Sequence, residues 1–512
     1  MTPQLLRRRL TYIEIFLLLA ALGLFYQITD YKEIGYAVGV VAGIGILALA
    51  FFRPRYGIVA ALLFGFIETT VNTINSLADS AAEYDLTGLP SLTQTIWVAW
   101  GVQIIYITLL LSYFARESSA GRKIEALTRL EWVLLTPLFA VLLYLPISLL
   151  LGNDMMLYAM DILPMCIYGG IVIIGRVMST ERDSRQARYF FLDWFIILNF
   201  LILIPLWGYN IAYDPWRNGF VGIAAIRTGT GPYDFNFFLV PLLGMILTYD
   251  DNLEIKRRRF YQVAFFFSIA RVIVSMFRGA IAGTLIAIII ASFIVEQARR
   301  WRWVRSLLIF SGAVFIIGGI LVATVPVIKT TFDVALVKRI NIALKVGAGG
   351  TSLQFREYET QEAMERIKES PIIGHGPGSL ITKFFKSEEF AKKELYLHSA
   401  YVWFVYKLGL LGVIVLLIFF GGIYLTCFEL LRRKLHPPDR GWVIGTIASM
   451  VAMLPVIHTN NMLIRSQGAY AMTLLLFGLS LIVLKYRGIP KNELPAGNGV
   501  SYNEGNKGVD AG

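Results

Sequence analysis

Residues 399–428 read SAYVWFVYKLGLLGVIVLLIFFGGIYLTCF. A run this long and this apolar is typical of a helix that crosses a bilayer, whose hydrocarbon core is about 30 Å thick. Similar runs recur from end to end of the 512 residues, of which 56% are hydrophobic and only 16% charged. The sequence therefore predicts an all-α fold, a polytopic membrane helix bundle of about 12–14 transmembrane helices.

The apolar runs also divide the chain into parts. The predicted spans are near 11–28, 33–52, 56–75, 94–114, 131–151, 157–175, 189–213, 235–249, 260–277, 279–296, 306–326, 399–428, 442–458 and 468–484. We expect residues 1–326 to hold transmembrane helices 1–11 with an outer loop at 214–234, and residues 399–485 to hold helices 12–14. Residues 327–398 form a polar extracytoplasmic segment, and the Gly- and Asn-rich residues 486–512 are predicted to be a disordered cytoplasmic tail.

The net charge of +12 is explained by membrane topology and not by binding to nucleic acid. Lysine and arginine cluster in alternate connections between the spans, and the opposite short loops carry few. The clusters are Arg7–Arg9, Arg53–Arg55, Arg116–Arg129, Arg176–Arg188, Lys256–Arg259, Arg299–Arg305, Arg432–Arg440 and Lys485–Lys507. The positive-inside rule then places both termini in the cytoplasm and the polar segment on the outer side.

The polar segment has internal organisation. Thr351 with Gln354 makes a capping box. Apolar residues then recur at helical spacing up to Ser370-Pro371, namely Leu353, Phe355, Tyr358, Ala363 and Ile367. The glycine-rich stretch GHGPG (374–378) predicts a turn, and KFFKSEEFAKKELYLH after it predicts a second short helix. The segment is expected to form a small cap over the membrane helices.

Three outer side chains are candidates for chemistry. His398 precedes the 399–428 run, where water, headgroups and protein meet, and histidine is suited to take a proton near neutral pH. The alternative is a histidine of an interfacial aromatic belt. Arg278 lies in a turn between two apolar runs and Arg227 in the outer loop, where each either clamps a phosphate or only meets headgroups and water.

Other polar residues leave a second class of function open. Arg271 is seven residues before Arg278, on nearly the same helix face and about 10 Å deeper. Arg271 and Glu68 lie inside spans, where they form a structural pair or have a function. Together with Asp161 and Asp193 they allow a solute transporter. The lack of a sequence repeat and the concentration of polar motifs on one face argue against a transporter.

Two motifs are expected to be structural. The glycines of GHGPG are expected to set backbone geometry, with His375 structural and not catalytic. Cys166 and Cys427 fall inside apolar spans and support neither a disulfide nor a metal site.

The order of the motifs resembles the O-antigen ligase and O-antigen polymerase superfamily. The family pattern P-x-x-G-x-G-x-G, then His-Ser-x-Tyr and a glycine-bounded GLLG helix start, stands here as Pro371, Gly374, Gly376, Gly378, His398, Ser399, Tyr401 and Gly409–Gly412. FRGA at 277–280 is similar to the family's S-R-G-a turn, with Phe277 in place of serine. RTGTGPYDFN at 227–236 is similar to its R-x-x-G…N-x-N loop, with Asp234 in place of the first asparagine. Arg356 stands where the family often has an arginine before the glycine motif.

The resemblance implies a glycosyltransferase on the outer face of the bacterial inner membrane. The donor would be an oligosaccharide or polysaccharide on undecaprenyl diphosphate, and the acceptor another glycan, lipid A core or a protein. His398 would be the base, and Arg227 and Arg278 would bind the diphosphate in place of a divalent cation, so that no metal and no cofactor is expected. The supporting residues would be Arg356, Arg271, Gly374, Gly376, Gly378 and Tyr401.

The choice between polymerase and ligase is a choice of acceptor. The long outer segment and the number of spans favour a polymerase of cell-surface polysaccharide, with a ligase to lipid A core as the alternative. A polymerase would work beside membrane lipid, a flippase and a chain-length regulator.

Overall fold

The computed structural model describes residues 43–63, 92–179, 184–201, 236–274, 278–324, 351–384, 391–394, 397–459, 462–464 and 466–493. Most of these residues are helical. The helices are α1 (Gly43–Phe52), α2 (Pro54–Leu63), α3 (Leu92–Ser119), α4 (Arg129–Leu143), α5 (Leu145–Leu150), α6 (Met155–Ser179), α7 (Ser184–Leu201), α8 (Asn236–Tyr249), α9 (Ile255–Val274), α10 (Arg278–Ile294), α11 (Gln297–Thr324), α12 (Thr351–Glu369), α13 (Ala400–Leu431), α14 (Pro437–Thr459) and α15 (Ser466–Lys485).

The described helices confirm the all-α membrane bundle. Six helical stretches, one of them α4 continued by α5, are long and apolar enough to cross a bilayer, and four shorter apolar helices accompany them within the described ranges. Every predicted span that reaches these ranges lies at least partly on a helix, including the short 235–249 span, which is α8. The predicted span 11–28 lies outside the described residues, as do residues 494–512 of the predicted tail 486–512. Residues 486–493 of that tail are described: Tyr486 is buried, and the carbonyl of Lys491 accepts from the N–H of Lys434 at 3.0 Å.

The bundle packs α8, α10 and α14 against one another; α4 packs against α6 and α13, and α6 packs against α15. Close approach depends on glycine where the partner is large. A Cβ on Gly244 of α8 would lie 2.1 Å from the ring of Trp303, and one on Gly478 of α15 would lie 2.1 Å from the ring of Trp442. Small residues at helix contacts are the usual means of packing inside a membrane.

One end of the bundle collects the basic clusters. Buried ion pairs there join Arg176 to Glu131 and Arg188 to Asp439, while Arg185 donates to Asp250 at 2.6 Å. These pairs connect the ends of α4, α6, α7, α8 and α14. The described connections joined by these pairs therefore meet at one end of the bundle, as the charge pattern predicts for one side of the membrane.

The connection between α8 and α9 belongs to the same end. Arg299 and Arg302 of α11 both bind Asp251. Burial raises the pKa of the Asp251 carboxyl, but the hydrogen bonds from Arg302 and Arg299 outweigh burial and hold this pKa below its ordinary value. The negative charge of Asp251 thus helps to hold two cations of α11 at the basic end.

The outer segment differs from the prediction in its second half. α12 confirms the predicted first helix, but the short second helix is wrong. Ile381–Phe384 (β1) and Ala391–Glu394 (β2) form an antiparallel hairpin in which Ile381 pairs with Glu394 and Phe384 with Ala391. β-Branched and aromatic residues in β1 favour a strand, and a helix this short would be marginal in water.

α13 is broken at Gly409, which has φ 56° and ψ −139°. The predicted GLLG helix start coincides with this break: α13 begins at Ala400, behind the N-cap Ser399, and its second helical segment begins after Gly409. Most side chains avoid this backbone region because of steric contact between Cβ and the backbone, and glycine has no Cβ. Just before the break, the carbonyl groups of Tyr406, Lys407 and Leu408 each accept a hydrogen bond from outside α13.

The glycine turn of the outer segment supplies new partners. The backbone N–H of His375 donates to the carbonyl of Tyr406, and the N–H of Gly376 donates to the carbonyl of Lys407, both at 2.9 Å. The hydroxyl of Tyr144 donates to the third at 2.8 Å. In return, the N–H of Leu410 donates to the carbonyl of Ile372 at 3.1 Å. The outer segment is thus joined to the broken helix by backbone hydrogen bonds, as a membrane protein requires where helical bonds are missing.

Substitution of Gly409 tests this junction. A Cβ at Gly409 would lie 2.3 Å from the carbonyl oxygen of Ile372, in addition to the strain of a positive φ of about 1–2 kcal/mol. We expect Gly409→Ala to lower the apparent melting temperature of the detergent-solubilised protein and the yield of monodisperse protein. Gly421 of the same helix, whose Cβ would meet nothing within 4 Å, is the control. Equal stability of the two alanine variants would contradict the junction.

Candidate functional site

His398 lies immediately before α13, and α12 supplies its partner. The carboxylate of Glu359 accepts a hydrogen bond from the backbone N–H of His398 at 2.6 Å through Oε1. The other carboxylate oxygen, Oε2, lies 2.5 Å from Nδ1 of the same residue. One carboxylate therefore holds both the backbone and the ring of His398.

The two side chains of this pair differ in exposure. The Glu359 side chain is 7% exposed and that of His398 is 48% exposed. Glu359 shares its helix face with Ala363 and Ile367, which are buried. The imidazole is thus held on its Nδ1 side by the protein while the rest of the ring stays accessible.

A second buried pair fixes the glycine turn. Lys407 of α13 and Asp161 of α6 lie 3.1 Å apart, and both side chains are fully buried. Asp161 also accepts from the N–H of Gly378 at 2.7 Å, and Lys407 donates to the carbonyl of Ser379. The end of the glycine turn is therefore bonded to both members of the pair.

The turn is also held from the connection between α5 and α6. The side-chain amide of Asn153 donates to the carbonyls of His375 and Pro377 at 2.8 and 3.2 Å. A Cβ on Gly376 would lie 2.7 Å from this amide, and one on Gly378 would lie 2.7 Å from the carbonyl of Asp154. Both glycines have positive φ, as does Gly374. The glycines of the motif set the geometry of the turn, as the sequence predicts.

His375 takes a structural position. Its Nε2 lies 2.8 Å from the carbonyl oxygen of Arg366, and its ring stacks on Tyr406 with the centroids 4.8 Å apart. Both ring contacts tie the turn to α12 and α13. His375 thus differs from His398, whose ring partner is a carboxylate.

Arg271 is buried in the bundle and meets α7. Its Nη1 donates to Oδ1 of Asn199 at 3.0 Å and to the backbone carbonyl of the same residue at 3.2 Å. Asn199 in turn donates to Oδ1 of Asn236, the first residue of α8, at 3.2 Å. Arg271 thereby joins α9 to the start of α8, which follows the predicted outer loop. Its role as a supporting residue stays a prediction.

Several predicted residues fall wholly or partly outside the described part of the chain. Arg227 and Glu68 lie outside the described residues. Arg278 is the first residue of α10 and Arg356 lies in α12, but the structure does not describe the side chain of either residue. Tyr401 lies in the first turn of α13, and its hydroxyl donates to the carbonyl of Leu454 at 3.4 Å.

Two of the acidic residues considered for transport, Asp161 and Asp193, are described, and both are in ion pairs. Asp161 binds Lys407, as above. Asp193 of α7 accepts from Arg257 at 2.9 Å and from the hydroxyl of Tyr261 at 2.7 Å, both on α9. These carboxylates join helices to one another.

Two residues of the site were missed by sequence reasoning. Glu359 stands four residues before Ala363 and eight before Ile367, so it occupies the apolar stripe of a predicted helix. A carboxylate on such a stripe is a signal that was available in the sequence. Lys407, inside the apolar run 399–428, is a second such signal.

The comparison with protein families agrees with the motifs. Residues 263–417 match the family described as O-antigen ligase. The matched region runs from α9 through Arg278, Glu359, the glycine turn and His398 to the first part of α13. The match supports, over this part of the chain, the resemblance to the O-antigen ligase and polymerase superfamily that the motifs show. No curated protein matches the chain.

The Lys407–Asp161 pair gives a test of how the turn is held. Removing one member of a buried pair costs about 3–5 kcal/mol because the remaining charge is buried without its partner. We expect Lys407→Met and Asp161→Asn each to lower the apparent melting temperature clearly. The double variant is expected to recover most of the loss, since the asparagine side chain that replaces Asp161 would still accept from the N–H of Gly378.

Lys434→Met, at an exposed lysine just beyond α13, is the control for the loss of a lysine. If the effects of the two single changes simply add in the double variant, the pair does not hold the turn.

Proposed function

We propose that the protein is a lipid-linked glycan polymerase of the O-antigen ligase and polymerase type. It transfers glycan from undecaprenyl diphosphate to a sugar hydroxyl at the outer face of the bacterial inner membrane. The observation that carries the proposal is the pair of His398 and a buried carboxylate, within a region that matches the O-antigen ligase family. The alternative within the same chemistry is a ligase that transfers glycan to lipid A core or to a protein.

His398 is the base in this proposal. Its ring is accessible, lies next to the N-terminus of α13 and is fixed by Glu359. It takes the proton of the acceptor hydroxyl as the oxygen attacks the anomeric carbon. The bond from that carbon to the diphosphate oxygen breaks, the leaving group keeps the electron pair, and direct displacement inverts the configuration at the carbon.

Arg227 and Arg278 bind the diphosphate in this proposal. Guanidinium groups match phosphate oxygens with two parallel hydrogen bonds and stay charged at neutral pH, so they stabilise the leaving group. Arg278 opens α10, inside the matched region. The arginines would supply the positive charge that a divalent cation supplies in many other glycosyltransferases.

The proposed orientation of the protein in the membrane is supported by the difference between its two ends. The basic connections meet at one end of the bundle, while His398 and the glycine turn lie at the opposite end of α13. The positive-inside rule places the basic end in the cytoplasm and His398 on the periplasmic side. A flippase would deliver the donor to that side, and a chain-length regulator would act beside a polymerase.

Complementation of a strain deleted for this gene tests the assigned residues. We expect His398→Ala, Arg278→Ala and Arg227→Ala each to abolish surface polysaccharide, because each removes the base or a charge on the leaving group. The polymer is measured on gels at matched amounts of the protein in the membrane. Arg432→Ala, at an exposed arginine at the other end of α13, is the control and should complement fully. Normal polysaccharide in all three site variants would contradict the transferase.

The product that accumulates distinguishes polymerase from ligase. A polymerase joins repeat units, so its loss is expected to leave single units on the lipid carrier or on core. A ligase moves a finished chain, so its loss would leave long polymer on the carrier. Mass spectrometry of the undecaprenyl-linked pool in the deletion strain measures the difference, and long carrier-linked polymer would overturn the polymerase.

A further inference from the structure

We infer that Glu359 is a positioning residue that fixes the tautomer of His398, so that Nδ1 carries the hydrogen and Nε2 takes the proton of the acceptor hydroxyl. The inference rests on the proposed function of His398 as the base. It adds a buried carboxylate of α12 to the site that contains His398.

The two contacts of Glu359 determine the position of the ring hydrogen. Oε1 is occupied by the backbone N–H of His398 at 2.6 Å, and Oε2 faces Nδ1 at 2.5 Å. An ionised carboxylate only accepts hydrogen bonds. The short contact therefore needs the hydrogen on Nδ1. In a neutral imidazole the lone pair is then on Nε2, which is the atom needed for a base.

The burial of Glu359 separates this role from an ordinary surface ion pair. Its side chain is only 7% exposed, on the face of α12 that packs through Ala363 and Ile367. A carboxylate at a buried position is costly unless its oxygens have partners. Here both oxygens contact His398. When His398 takes a proton, the adjacent negative charge stabilises the imidazolium that forms.

Replacement of Glu359 by glutamine has a specific consequence. Glutamine has one oxygen and one NH₂ group in place of the two carboxylate oxygens. The backbone N–H of His398 needs the oxygen, which leaves the NH₂ group facing Nδ1. Only an imidazole with its hydrogen on Nε2 can accept there. Glu359→Gln is thus expected to keep the shape of the site but to place the hydrogen on the atom that should act as base.

The experiment uses the full chain in nanodiscs, labelled with ¹⁵N-histidine. The chain has four histidines, so the signal of His398 is assigned by difference from His398→Gln. We expect the wild type to show Nδ1–H and a hydrogen-free Nε2, and Glu359→Gln to show the opposite tautomer. This measurement needs no substrate.

Transfer rates are measured on the same proteins with lipid-linked glycan extracted from the deletion strain as the donor. We expect Glu359→Gln to lower kcat about 100-fold with little change in KM, because Glu359 contacts the base and not the substrate. Glu359→Asp keeps the charge and both oxygens and should retain more activity than Gln. A merely structural role would reverse this order, since glutamine has the size of glutamate. Glu365→Gln, at an exposed position of α12, is the control and should keep the wild-type rate.

The outcomes separate the two claims. Wild-type kcat in Glu359→Gln, or an Nε2–H tautomer in the wild type, overturns the role of Glu359. Full activity in His398→Gln overturns the assignment of the base, whatever the spectra show. Loss of activity in His398→Gln with normal activity in Glu359→Gln leaves the base in place and removes only its partner.

Discussion

The hydrogen bonds across the break in α13 are the contacts on which the outer half of the protein depends. A backbone carbonyl without a partner is costly inside a membrane, where no water can replace the missing bond. Three successive carbonyls just before the break at Gly409 accept hydrogen bonds from outside α13, two from the glycine turn and one from Tyr144. The break and the turn therefore require each other. The turn needs positive φ at its glycines to bring its N–H groups close to α13.

This junction places the site. The chain enters the turn from α12, leaves it through the hairpin and returns at His398 to begin α13. Fixing the turn against the break fixes the end of α12, and α12 carries the carboxylate that holds His398. The buried pair of Lys407 and Asp161 adds α6 to the same unit. His398 is thus positioned by contacts that join α6, α12 and α13, and the ion pairs of the basic end stabilise the opposite end of the bundle.

Much of this could be predicted from the sequence, because lipid makes the pattern simple. Long apolar runs gave the helices, and the distribution of lysine and arginine gave connections that meet at one end. α12 was predicted from its helical period, and the glycines were expected to set a turn. The break at Gly409 was not predicted, because an apolar run looks the same in sequence whether its helix is continuous or broken. Only the segment that packs against the break shows which hydrogen bonds are replaced. The hairpin was missed because its charged residues also fit a short helix. Glu359 was missed because the pairing of a carboxylate with a histidine far along the chain depends on tertiary structure.

The outer segment has two contacts that close the chain on itself, one between Glu359 and His398 and one between the glycine turn and Gly409. Because of these two contacts, some parts of the segment can accept inserted residues and others cannot. Residues inserted before α12 would leave both contacts unchanged. A single residue added between Glu359 and Ile372 would rotate the end of α12 by about 100° relative to the turn, and both contacts could not be kept. The spacing of these residues along the chain is therefore as much a property of the site as their identity.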